Sequence, residues 1–156
     1  MVEIERKFKV RSSEYKDVAS RFYNIKQGFL SSNKNRIVRV RMVDKTGWLT
    51  VKGKSSEDGL ERFEWETELN TEDALELLKL CERPLIEKTR YEVMYEGKLF
   101  EVDEFFGDND GLVIAELELS TKDEVFSLPQ WIGEEVTGDI KYYNANLITN
   151  PYKNWK

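Results

Sequence analysis

Histidine is absent from this chain. Its absence removes imidazole as general base and as metal ligand, so a Ser-His-Asp triad and the usual zinc sites are excluded. Cysteine occurs once, at Cys81, so there is no disulfide framework, and a packed thiol near a helix end is its expected role. There are three prolines, and no apolar run approaches membrane-span length. No secretory pattern precedes Val2, which makes a cytoplasmic location the default expectation. Basic residues are outnumbered, 24 against 30 acidic, for a net charge of -6. That balance argues against a general nucleic-acid binder, whose phosphate contacts need a basic surface.

Charge itself is abundant, at 35% of 156 residues. The length fits one domain, residues 1–156, with a real core. Any acid-base or metal chemistry must use carboxylates, Lys, Tyr or water. The charges are also ordered. In the opening stretch Glu3, Glu5 and Lys7 alternate with Val2, Ile4 and Phe8. In a β-strand such a set projects from one face. The same alternation recurs over 36–43, 48–52, 60–69, 86–93, 99–106 and 112–119, and 25–30 reads as a further short strand. Gly28 inside that strand marks a bulge or a close backbone approach.

Helical spacing is expected over 14–22 (Tyr15, Val18, Ala19, Phe22) and from Thr71 (Ala74, Leu77, Leu78, Cys81). A short helix is expected over 121–126. Another, capped by Thr137 or Asp139, would carry Ile140, Tyr143, Leu147 and Ile148 as far as Pro151. The fold class is therefore α+β and β-dominated, with eight strands joined mostly by short turns. Such a set reads as an antiparallel sheet and suffices to close a barrel.

Six strands carry a like-signed i, i+2 pair: Glu3/Glu5, Arg39/Arg41, Glu64/Glu66, Lys88/Arg90, Glu101/Asp103 and Glu116/Glu118. Lys7, Lys52 and Arg62 lie in phase with them. Like charges sharing a sheet face repel. One arrangement is a solvated face; the other is a shared interior where bases, acids, ligand and metal hold one another's charge. Periodicity leaves both open. In the convergent arrangement Lys7, Arg39, Arg41, Lys52, Arg62, Lys88 and Arg90 suit a polyanion. Clustered carboxylates without His or thiolate suit Mg²⁺ or Mn²⁺. Trp48 shares the parity of Lys52 and is a candidate rim or stacking residue. Outward apolar residues such as Phe63 and Trp65 call for cover by helices or by a second copy of the chain in a homodimer.

The residues also match a known pattern over nearly the whole length. The pattern comprises Glu3-x-Glu5-x-Lys7, Gln27-Gly28-Phe29-Leu30, Arg39-Val40-Arg41, Lys52 and Arg62-Phe63-Glu64-Trp65-Glu66. It continues through Glu87-Lys88-Thr89-Arg90-Tyr91, Glu101-Val102-Asp103, Glu116-Leu117-Glu118 and Glu135-Val136-Thr137-Gly138-Asp139, then Tyr142 or Tyr143, and Asn144. The chain thus resembles the CYTH, or triphosphate tunnel metalloenzyme, family. The resemblance implies a closed eight-stranded antiparallel tunnel lined with charge. It implies divalent-metal-dependent hydrolysis of a triphosphate, inorganic tripolyphosphate first, with thiamine triphosphate hydrolysis or ATP cyclisation as alternatives and a non-catalytic polyphosphate- or nucleotide-binding module as a third. By resemblance Glu3, Glu5, Glu116 and Glu118 would bind metal, with Glu64, Glu66 and Asp103 as further candidates. Lys7, Arg39, Arg41, Lys52, Lys88 and Arg90 would bind phosphates, and Lys88, Glu5 and Glu118 would take part in the chemistry. The chain departs from the pattern at Phe29. Some members have a tyrosine there, implicated as a proton acceptor together with the lysine matching Lys88. Phenylalanine cannot accept a proton, so that dyad does not carry over.

Overall fold

The computed structural model describes residues 1–155. Nine strands follow one another as β1 (Val2–Val10), β2 (Arg21–Ser31), β3 (Arg36–Val43), β4 (Thr46–Gly53), β5 (Glu61–Leu69), β6 (Ile86–Tyr95), β7 (Lys98–Phe105), β8 (Val113–Leu119) and β9 (Ile132–Glu135). Two α-helices interrupt them, α1 (Tyr15–Val18) and α2 (Thr71–Leu80). Spatial order is β5-β4-β3-β2-β6-β7-β8-β1, and β5 pairs back to β1. Every pairing is antiparallel. The first eight strands therefore form a closed barrel, as expected. The short β9 pairs with β1 at Phe8 and Val10.

Closure answers the question that alternation left open. Register sets Gln27 opposite Arg41, Arg90 opposite Asp103, Glu101 opposite Glu116, Lys7 opposite Glu116, Glu3 opposite Arg62, and Lys52 opposite Glu64. Paired residues share a face, so the charged sets of neighbouring strands all point the same way. That way is inward, because the residues of opposite parity build the apolar layers outside. Val40 and Met42 pack under α2 with Ala74, Leu78 and Cys81. Phe8, Val93, Phe100, Val102, Ala115 and Leu117 pack with Tyr15, Trp131 and Ile132.

The α2 stripe forms as expected, but its cap is Asn70, whose side chain accepts from the Asp73 amide at 2.8 Å. Gly28 serves close approach: a Cβ there would stand 2.6 Å from Leu85 and 2.7 Å from Cys81. The outer set around Phe63 and Trp65 is 51% and 48% exposed, with no helix over it among the described residues.

Three helical expectations fail. The helix expected over 14–22 shrinks to Tyr15–Val18, and Phe22 instead belongs to β2. Its ring stacks on Tyr91 of the adjoining strand, centroids 5.5 Å apart, which favours extension over another helical turn. Residues 121–126 form no helix; the Glu124 carboxylate accepts from the Ser120 amide at 2.6 Å. The C-terminal helix is replaced by 3-10 turns at Ile140–Tyr142, Asn144–Leu147 and Tyr152–Asn154. This segment still lies at one end of the barrel. There Val136, Tyr142, Ala145, Leu147 and Ile148 pack onto Phe29, Ile37, Ile86, Phe105 and Ile114. The latter five are inward-facing by register, so the barrel has an apolar floor.

Candidate active site

Above the floor lies a cavity of about 390 Å³. Nine of its lining side chains are basic and seven acidic. The bases include Lys7, Arg39, Arg41, Lys52, Arg62, Lys88 and Arg90, every proposed phosphate-binding residue. Lys34 and Lys54 join them from the β2–β3 and β4–β5 loops. Of the proposed metal-binding carboxylates, Glu3, Glu5 and Glu116 line the cavity, as do Glu64, Glu66 and Glu101. Glu118 lies opposite Glu5 in register but is exposed and does not line it. Trp48 also lies outside the lining and is half-buried.

Most of these charges pair across the lumen. Lys52 Nζ lies 3.1 Å from Glu3 and 3.2 Å from Glu64. Lys7 Nζ lies 3.7 Å from Glu116. Arg90 grips Asp103 with Nε at 2.8 Å and Nη2 at 2.9 Å, and reaches Glu101 at 3.3 Å and Glu116 at 3.5 Å. Lys88 Nζ sits 2.7 Å from Asp103. Asp103 is thereby committed to two cations and is a poor candidate metal ligand. Arg39 donates to Thr50 Oγ1 at 3.1 Å, and Thr50 donates to Glu66 at 2.6 Å.

Two arginines keep spare capacity. Among the described residues Arg41 has no carboxylate within ion-pair distance; its Nε donates to Gln27 Oε1 at 3.1 Å. Arg39 Nε is buried with no hydrogen-bond partner among the described residues. A buried donor without an acceptor is costly. Both side chains line the cavity, so an anion there would meet Arg41, which has no carboxylate partner among the described residues.

Burial shapes the protonation of the lining. Glu5 is pushed up to about 8, first by burial and then by the neighbouring Glu116 and Glu3 carboxylates. Lys88 is brought down to about 7 by burial, with Arg90 and Arg41 adding to it and Asp103 resisting. Burial, Arg39 and Arg90 lower Arg41 to about 9. Asp103, against its burial, is held at about 2 by Arg90 and Lys88. Glu118 is raised by burial and by Glu3, Glu64 and Glu101.

A hard divalent cation fits the carboxylate side. Its donors would be oxygen only, and the Glu3, Glu5 and Glu116 carboxylates all line the same cavity. Among the described residues no three of these carboxylates already converge as a cage. Glu3 faces Lys52, and Glu116 faces Lys7 and Arg90.

The charged strand-borne lining is legible from parity; four further contributors, three of them part of the sequence pattern, have no role that parity assigns. Gln27 and Thr50 lie in phase with the charged set and are fully buried, but they carry no charge to flag them. Tyr143 and Asn144 come from the C-terminal segment. The Tyr143 ring lies under Lys7 Nζ at 5.0 Å and the Arg62 guanidinium at 5.6 Å. The segment reaches them because Gly138 meets Gly59 back to back: a Cβ on Gly59 would stand 2.3 Å from Gly138 Cα. Both glycines have positive φ. Phe29 lines the cavity as part of the apolar floor.

The CYTH domain pattern matches residues 1–152. The chain belongs to the CYTH family. It is 50% identical over 155 residues to an inorganic triphosphatase of Acetivibrio thermocellus, covering 99% of this chain and 97% of that relative. It is 36% identical over 151 residues to an inorganic triphosphatase of Nitrosomonas europaea, covering 94% and 97%. A crystal structure of the inorganic triphosphatase NE1496 superimposes with a TM-score of 0.65 at 31% identity, over 94% of this chain and 97% of that one. As a CYTH protein, the chain keeps the charged tunnel while placing phenylalanine at position 29.

Proposed function

We propose that this CYTH protein is a divalent-metal-dependent triphosphatase whose first substrate is inorganic tripolyphosphate. The observation that carries the reading is the closed lumen itself, where buried Lys88 and Arg90 and half-buried Arg39 and Arg41 face a wall of carboxylates. The relatives of similar length that bear the name inorganic triphosphatase support it. Arg39, Arg41, Lys52 and Arg90 bind and orient the phosphates, with Lys7 and Arg62 beside them. Arg41 supplies guanidinium donors that no carboxylate uses among the described residues. Glu3, Glu5 and Glu116 would hold the cation, with Glu118 at the rim. When bound, Mg²⁺ or Mn²⁺ supplies a Lewis acid and activates water.

The reaction transfers the terminal phosphoryl group to water: a new P–O bond forms, the anhydride bond breaks and pyrophosphate leaves. The attacking water must lose a proton near neutral pH. Lys88, lowered to about 7, takes it as the free amine. Arginines fixed around the lumen stabilise the charge that develops on the equatorial oxygens. Trp48 stands outside the lining, and most of the lining side chains are charged. Inorganic tripolyphosphate is therefore preferred to ATP. The test compares tripolyphosphate, thiamine triphosphate, ATP and pyrophosphate at equal concentration with each metal. Phosphate release should be fastest from tripolyphosphate. Cyclic AMP from ATP, or faster release from either organic triphosphate, would reassign the substrate.

A further inference from the structure

Asn144 enters the lumen from the C-terminal segment, and its carboxamide is oriented from two ends. Arg41 Nε can only donate, so Gln27 presents Oε1 to it, at 3.1 Å, and turns Nε2 the other way. That Nε2 donates to Asn144 Oδ1 at 2.8 Å. The Lys88 ammonium, also a donor only, reaches the same oxygen at 2.9 Å. With both donors on Oδ1, Asn144 Nδ2 becomes the unused donor: it has no protein acceptor among the described residues, and Asn144 lines the cavity.

We propose that Asn144 is a further phosphate-binding residue, donating Nδ2–H to a phosphoryl oxygen while its Oδ1 positions Lys88. The proposal rests on the triphosphatase reading for the identity of the ligand. It assigns the C-terminal segment two separate tasks. Ala145, Leu147 and Ile148 close the floor by packing, and Asn144 completes the anion site. Gln27 cannot substitute, because it is fully buried and both ends of its amide are engaged.

The test uses the full chain and inorganic tripolyphosphate. Binding is measured by calorimetry in chelated buffer, and kcat and KM are measured with Mg²⁺. Asn144→Ala should weaken binding and raise KM about tenfold, the loss of one hydrogen bond to a charged acceptor. Asn144→Asp keeps the shape but puts a carboxylate where the donor stood, and should weaken binding about a hundredfold. Leu147→Ala loosens the floor without touching the anion site. It should lower the melting temperature at least as much as Asn144→Ala, with Kd within about twofold of wild type. Wild-type Kd in both Asn144 variants would overturn the proposal. So would a parallel loss of binding in Leu147→Ala, which would make Asn144 only a part of the plug. If Asn144→Ala does not fold, Asn144→Asp decides alone. A wild-type protein that binds tripolyphosphate without hydrolysing it would sink the triphosphatase reading, while the Asn144 contact would still be judged by Kd.

Discussion

Burial moves Lys88 and Glu5 in opposite directions, and each leaves a measurable trace. The Lys88 ammonium is destabilised to about 7, so near neutrality it exchanges a proton readily. Lys88→Met removes that exchange and should lower kcat by about a hundredfold or more, with a smaller change in KM, in steady-state assays on tripolyphosphate. The Asp103 carboxylate keeps Arg90 at 2.8 Å, so the variant is expected to fold. Glu5 shows its trace in stability. Its folded pKa is about 8 against an ordinary 4.5, so the folded state holds the extra proton between those values. The contribution of Glu5 to the stability of the metal-free protein therefore falls as pH rises from 4.5 to 8. Glu5→Gln should remove that contribution, so that the stability of the variant relative to wild type rises from pH 4.5 to pH 8, by on the order of a few kcal/mol. Thermal melts in chelated buffer across that range check it.

At the scale of elements, alternation was the informative signal. Where a strand carries charge at every second position, as at Glu3/Glu5 or Lys88/Arg90, the inward face could be read once closure was known. It failed where the chain has no period. The strand β9 is four residues long and contains Gly133, too short for alternation to register. The C-terminal segment mixes an inward Asn144, a floor of Ala145 and Leu147, and an Ile140 that is 55% exposed, and no helical stripe describes that mixture. Gln27 and Thr50 were silent because uncharged residues on a charged face look like neutral spacers. Gly28 was legible as an interruption, but only packing shows what it admits. Gly28→Ala would drive a methyl into Cys81 and Leu85. It should destabilise the protein by about 1–3 kcal/mol, read as a lowered denaturation midpoint, by displacing α2 from the barrel.

At the scale of the molecule, the barrel inverts the usual arrangement. Its apolar layers lie outside the strands, under α2 and around Trp131, and at the floor, while its interior holds paired charge. Paired interior charge is a poor source of stability, because each ion's desolvation offsets much of its attraction. Retaining it is understandable if the lumen must receive ions of both signs. Closure also fixes where they go: the carboxylates of β1 and β8 stand on adjacent strands, and the arginines of β3 stand across from them. The central claim is that such a lumen hydrolyses a triphosphate only with a divalent cation. Its most direct test is the initial rate of orthophosphate release from tripolyphosphate, measured with Mg²⁺ or Mn²⁺, after chelation, and after the cation is restored. Turnover with a cation, loss on chelation and recovery on re-addition are the expected results. No release with either cation from folded protein, or release that chelation leaves unchanged, would contradict it.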